Sequence, residues 1–262
     1  MSGLWGGLNY GRLAIVVSGA WLSVIMTLET IGAFTNASLE TPVSHAEIDM
    51  TWGLVLIWVV GGGSLTLLLR GRVSKALSRL PGDPRLKFFL FAAGLSMIEE
   101  AVTTGMTNLA PEFGVRIGQA YITASANYFD VILFHSVIVF LPMFAAWALL
   151  LSRYSFDPKA VLLLYGITGA FSETISFGFA NLIGAGLWIL VYGLMVYLPA
   201  FAVSPVAGVR PPRARHYLLA LVLPIICAIP VAVAILLVFH QPTTDFQDVV
   251  LAIPLQRTLP II

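Results

Sequence analysis

The sequence predicts an all-α, polytopic transmembrane helical bundle of seven spans that contains an internal parallel repeat of two-helix units. Three observations predict it. Of 262 residues, 58% are hydrophobic and only 10% charged, against about 25% charged in an ordinary soluble domain. The basic residues are confined to the breaks between long apolar runs, and two consecutive pairs of those runs share their sequence pattern. The composition excludes a water-soluble globule. Fourteen Lys and Arg against thirteen Asp and Glu leave a net charge of +1, so no basic surface exists to recruit nucleic acid.

A bilayer core of about 30 Å needs about 20 apolar residues per helix. Runs of this kind cover 13–34, 52–69, 88–110, 129–151, 160–180, 182–203 and 217–238, within a single integral membrane domain over 1–262 that ends in a tail over 239–262. The first run follows Arg12 as a signal anchor does; it lacks a small-x-small cleavage site and is read as a span. In the second, Gly61, Gly62 and Gly63 are not followed by the Lys-Ser/Thr of a phosphate loop and mark a kink or a close-packing point. The fifth and sixth runs nearly touch and require a tight helical hairpin. Pro142, Pro199, Pro224 and Pro230 fall inside runs, where neighbouring helices can satisfy the freed carbonyls. Cys227, the single cysteine, reads as a small apolar residue of the seventh run. The tail, with QPTTDFQDVV and LPII, is too apolar for a solvated end.

With seven spans, Arg12, Arg70, Arg72, Lys75, Arg79, Arg85, Lys87, Arg153, Lys159, Arg210, Arg213 and Arg215 share one side, and only Arg116 and Arg257 lie on the other. By the positive-inside rule this predicts a protein of the cytoplasmic membrane, with its N-terminus in the cytoplasm and the tail outside.

The repeat lies in spans 3–4 and 5–6. EAVTTGMTNL (100–109) matches ETISFGFANL (173–182) at Glu, Gly, Asn and Leu, and ILFHSVIVFLPMFA (132–145) matches ILVYGLMVYLPAFA (189–202) at seven of fourteen positions. Both copies start in the cytoplasm and run outward first, so the relating axis follows the membrane normal. The first copy carries an insertion over 111–127. ETIGAFTN (29–36) is a fainter echo that makes spans 1–2 a candidate third copy.

The repeat places chemistry. Glu29, Glu99, Glu100, Asp130, His135 and Glu173 are expected in the outer half of the bilayer, and no intramembrane Lys or Arg neutralises them. Unpaired carboxylates are too costly in hydrocarbon, so they must be protonated and mutually bonded, line a wet cavity, or hold a cation. Thr103, Thr104 and Thr107 on one helix, and Thr168, Ser172 and Ser176 on the other, extend the polar faces. Gly105, Gly166, Gly169, Gly178, Gly184 and Gly186 would let backbones approach. The leading expectation is translocation of a proton or small cation, with Glu29, Glu100, Glu173, Asn108, Asn181 and Asp130 as binding groups. One alternative is a metal-dependent membrane enzyme, a hydrolase or oxidase, with Glu99, Glu100, His135 and Glu173 around a bound divalent metal such as Zn, Fe or Mn. A second is a non-catalytic subunit that docks other chains through 37–51, 111–127 and 241–262. The bland reading of the carboxyls is interhelical hydrogen-bond glue. Expected partners are the lipid bilayer, further copies of the chain or other subunits of a membrane complex, and no nucleic acid.

Two details qualify the metal set. His135 aligns with Tyr192, which is no routine metal ligand, and Asp130 and His135 are five residues apart, about 140° around an α-helix. A site using both needs the helix to unwind or its ligands to converge from a wide angle. The stretch from Glu99 and Glu100 to Gly105 resembles the Glu-Glu-x-x-x-Arg motif of the CAAX-protease and bacteriocin-processing membrane family, which would imply glutamates that activate water and a histidine, here His135, on the next helix. Thr104 stands in place of that family's arginine, Val131 replaces the Phe of its Phe-x-x-x-His element, and its later His-x-x-x-Asn/Asp element has no counterpart.

Overall fold

The computed structural model describes residues 10–35, 42–203 and 208–239, apart from the side chains of 10, 33–35, 176–177, 180–181 and 239. Residues 240–262 of the tail, 37–41 of the expected docking segment 37–51 and Asn36 of the third echo lie outside the described residues. Within them all regular structure is helical. Helix α1 covers Tyr10–Thr35 and α2 covers Pro42–Arg79. Helix α3 is Pro84–Asn108 and ends in a 3-10 turn, Ala110–Phe113. After the loop come α4, Tyr128–His135, and α5, Val137–Leu151. Helix α6 is Pro158–Phe177 and also ends in a 3-10 turn, Phe179–Leu182. Helices α7, Ala185–Ala202, and α8, Ala214–Phe239, complete the order.

Seven spans are expected from the sequence; the described residues support fewer. Four helices are long and apolar enough to cross a membrane: Gly11–Gly32, Pro42–Arg79, Ala185–Ala202 and Ala214–Val238. Helices α4 and α5, bent by 51° where they meet, make a fifth if they form one broken span. The remaining two expected spans fold as α3 and α6. Both interrupt their apolar runs with carboxyls, Glu99 and Glu100 in one and Glu173 in the other.

Helix α7 is central, packed on α1, α2, α3 and α6, while α5 bridges α3 and α8. Glycines set these approaches. A β-carbon at Gly166 would stand 2.2 Å from the Ile189 carbonyl oxygen, one at Gly169 2.2 Å from Tyr192 Cδ2, and one at Gly186 2.9 Å from the Leu22 nitrogen. Gly105 and Gly178, expected to act likewise, have no neighbour within 4 Å. Trp58 Nε1 donates to the Val191 carbonyl at 3.0 Å and ties α2 to the same centre.

The glycine run of α2 coincides with a π-helical stretch, Val55–Gly62, in which a Gly61 β-carbon would lie 3.2 Å from the Leu56 carbonyl oxygen. The bend of the broken span falls between His135 and Val137, not at Pro142, which sits inside α5. Residues 42–51, expected to be an exposed segment, are the first turns of α2. Ala46 and Met50, one turn apart, pack on Met106, Ala110, Val115 and Ala120, so the insertion is folded back over this end of the bundle. At the opposite end the basic loops meet: Arg210 donates from its backbone to the Arg153 carbonyl at 3.1 Å, and Ser155 to the Arg210 carbonyl at 2.9 Å.

Candidate functional site: a buried carboxyl trio

Helices α3 and α6 begin with the same device. The Asp83 carboxylate accepts from the Arg85 backbone N–H at 2.8 Å, the Asp157 carboxylate from that of Lys159 at 2.8 Å, and a proline follows each cap. Counted from its cap, Glu99 is the sixteenth residue after Asp83, and Glu173 the sixteenth after Asp157. At 1.5 Å per residue both lie about 24 Å along their helices. By the caps, then, Glu173 corresponds to Glu99; by the residues that follow, it corresponds to Glu100. The two alignments differ by a one-residue slip, and adjacent residues on a helix point about 100° apart.

The slip gives the two glutamates of α3 different neighbours. Both are 4% exposed. Glu100 accepts from the hydroxyls of Thr103 at 3.1 Å and Thr123 at 3.3 Å, and the Ser136 side chain at the bend lies nearby. Glu99 interacts electrostatically with Glu173 and with the hydroxyl of Tyr165. Glu173 is half-buried and accepts a hydrogen bond from the Tyr192 hydroxyl across the α6–α7 contact. Glu99, Glu100 and Glu173 lie within electrostatic range of one another. No Lys or Arg occurs over 88–115, 117–152 or 160–209, so the partners of the trio are hydroxyls.

The other expected site residues lie elsewhere. Glu29 is half-buried in a crevice of about 30 Å³ between α1 and the start of α7, beside Trp21, Met26 and Gly186, and does not join the trio. Asn108 is exposed and donates to the carbonyls of Thr104 at 2.9 Å and Ala126 at 2.8 Å, which pins the folded-back loop rather than lining a route. The side chain of Asn181 lies outside the described residues. His135 Nε2 is 3.6 Å from Asp130 Oδ2, with both side chains about two-fifths exposed at 41% and 39%. The π-helical turn Val131–His135, closed by the Ser136 N–H on the Val131 carbonyl at 2.9 Å, makes that contact. An i→i+5 turn brings residues five apart onto one face. His135 is therefore with Asp130 and not with the glutamates. Among the described residues no three His, Cys, Asp or Glu side chains are grouped so as to hold a metal ion.

Sequence reasoning missed Thr123, Ser136 and Tyr165. Ser136 had a signal: it replaces Gly193 at the matching position of the repeat. Tyr165 was a lone hydroxyl in the apolar stretch LLLYG, and Thr123 carried no signal at all.

The described residues define the class, a helical protein with several helices fit to cross a membrane. Comparison with protein families, with curated proteins and with solved structures finds no match for the chain.

Proposed function

We propose that this protein translocates protons, or a small monovalent cation that takes their place, across the cytoplasmic membrane, and that Glu99, Glu100 and Glu173 carry them. One observation carries the reading: Glu99 and Glu100, both buried on α3, and the half-buried Glu173 of α6 stand within electrostatic range of one another on helical segments without Lys or Arg. Three adjacent carboxylates cannot all be ionised at tolerable cost away from water. The trio therefore holds one or more exchangeable positive charges. A proton needs only a carboxyl and a hydrogen-bonding neighbour, and Thr103, Thr123, Ser136 and Tyr192 supply such neighbours. In this reading the chain crosses seven times, with spans 3–4 and 5–6 as parallel copies. The meeting of the loops of Arg153 and Arg210 at one end supports a cytoplasmic basic face. The matched Asp-Pro caps and the prolines inside α5 and α7 support the repeat.

The test is proton flux in proteoliposomes under an imposed pH gradient, with sodium and lithium uptake in parallel. The wild type is expected to dissipate the gradient, and Glu173→Gln or the triple variant Glu99→Gln, Glu100→Gln, Glu173→Gln to lower the flux at least tenfold. Gln keeps the size of the side chain and its hydrogen bonding but cannot exchange a proton. Wild-type flux of every cation in the triple variant leaves the carboxyls as interhelical glue and overturns the proposal.

A further inference from the structure

Tyr165 and Trp147 are both 0% exposed, and neither the Tyr165 hydroxyl nor the Trp147 Nε1–H has a hydrogen-bond partner. Buried polar groups of native proteins are satisfied by protein or by internal water, so each of these atoms marks a place where protein supplies nothing. Their positions form a series. Tyr165 is eight residues before Glu173 on α6, about 12 Å nearer the basic end, and its hydroxyl is within electrostatic reach of Glu99. The Tyr165 ring stacks on Phe144, centroids 5.5 Å apart. Trp147 is one turn beyond Phe144 along α5, again toward the basic end, and meets Phe156 edge-on at 5.5 Å. Phe156, with Phe88, Ala148 and Ser152, lines a cavity of about 80 Å³ bordered by Arg85 and Tyr154. That volume holds more than one water.

We infer that internal water bonds the Tyr165 hydroxyl and the Trp147 Nε1–H, and that the series from Glu99 past these two side chains to the cavity at the basic end is the inner half of the proton route. The inference rests on the translocation reading and adds its path. The two groups divide the work by their chemistry. A tyrosine hydroxyl both accepts and donates, so it takes a proton on oxygen from one neighbour as it releases its own to the next. An indole N–H donates only, so Trp147 anchors a water without passing a proton itself. No bond other than O–H is made or broken, and each proton accepted is balanced by one released.

The test has two readouts on the full chain in lipid nanodiscs and proteoliposomes. Radiolytic hydroxyl labelling marks side chains that touch bound water whether or not they reach the surface. Tyr165 and Trp147 are expected to be labelled at least fivefold faster than Phe144, which is equally buried and has no polar atom. Tyr165→Phe is expected to lower proton flux at least fivefold with its thermal midpoint in detergent unchanged, and Trp147→Phe to lower it less. Labelling of both residues at the rate of Phe144 overturns the inference, and so does wild-type flux in Tyr165→Phe. The two proposals fail separately. If Glu173→Gln abolishes flux while Tyr165→Phe and Trp147→Phe do not change it, the carriers stand and this path falls. If the wild type carries no proton, the translocation reading and the route fall together, and the labelling still decides whether water is present.

Discussion

The two stretches whose sequences align, α3 with α4 and α5 on one side and α6 with α7 on the other, share residues at matched positions and differ in how tightly they close. In the second, Gly166 and Gly193 bring the two helices to backbone contact, Gly169 makes room for the Tyr192 side chain, and Tyr192 reaches across to Glu173. In the first, Ser136 stands at the position of Gly193 and His135 at that of Tyr192, the helix breaks there by 51°, and His135 turns out to Asp130. Glu100 then takes its hydroxyl partners from its own helix and from the loop, Thr103 and Thr123. The lesson is that a hydrogen-bonding residue type can be kept or lost while the carboxyl it serves stays partnered. Whether a copy is closed or open turns on a few small side chains at the contact.

The sharpest way to break this comparison is to fill the glycines. Gly166→Ala forces a β-carbon onto the Ile189 backbone and is expected to cost about 1–3 kcal/mol, the usual range for overpacking. Gly105→Ala meets nothing within 4 Å and is expected to gain up to about 1 kcal/mol from helix propensity. Thermal midpoints in detergent read both, and equal shifts would remove the distinction between a closed copy and an open one. A smaller contrast comes from the aligned pair. Tyr192→Phe removes the donor to Glu173 and is expected to cost about 1–2 kcal/mol. His135→Phe loosens a contact between two side chains that are each about two-fifths exposed, and is expected to cost less than about 0.5 kcal/mol. A loss at His135 as large as at Tyr192 would mean that its link to Asp130 holds the bend. The smallest contrast is at the caps. Asp83→Ala and Asp157→Ala are each expected to cost about 1 kcal/mol and to differ by no more than a few tenths, because the two bonds are alike at 2.8 Å.

Much of the helix placement was legible because a run of about 20 apolar residues is a strong signal. The expected 13–34 and 217–238 fall inside α1 and α8, and 182–203 runs little beyond α7. The onset of α2 was not legible: Ala46 and Met50 are two apolar residues among polar ones, and only their burial against the loop reveals a face. The Asp-Pro starts at 83 and 157 were readable in the sequence and were passed over. At the site, the pairing of Glu100 with Glu173 followed from aligning the residues after them, and that alignment concealed the one-residue offset by which the caps pair Glu173 with Glu99. The meeting of Asp130 and His135 was out of reach for a different reason. A spacing of five separates side chains on an α-helix, and nothing in the residues announces a π turn.

Helix α2 has one more consequence. Its 38 residues amount to about 57 Å, nearly twice the hydrocarbon thickness. At one end Ala46 and Met50 grip the folded-back loop whose Thr123 serves Glu100. At the other, Ser74 donates to the Ala202 carbonyl at 3.3 Å, on the last turn of α7. A single rod thus fastens the lid over the carboxyls to the far end of the helix that carries Tyr192. The π-helical stretch, Val55–Gly62, lies between its two attachments, so the break in its i→i+4 bonding separates the end that holds the loop from the end that holds α7.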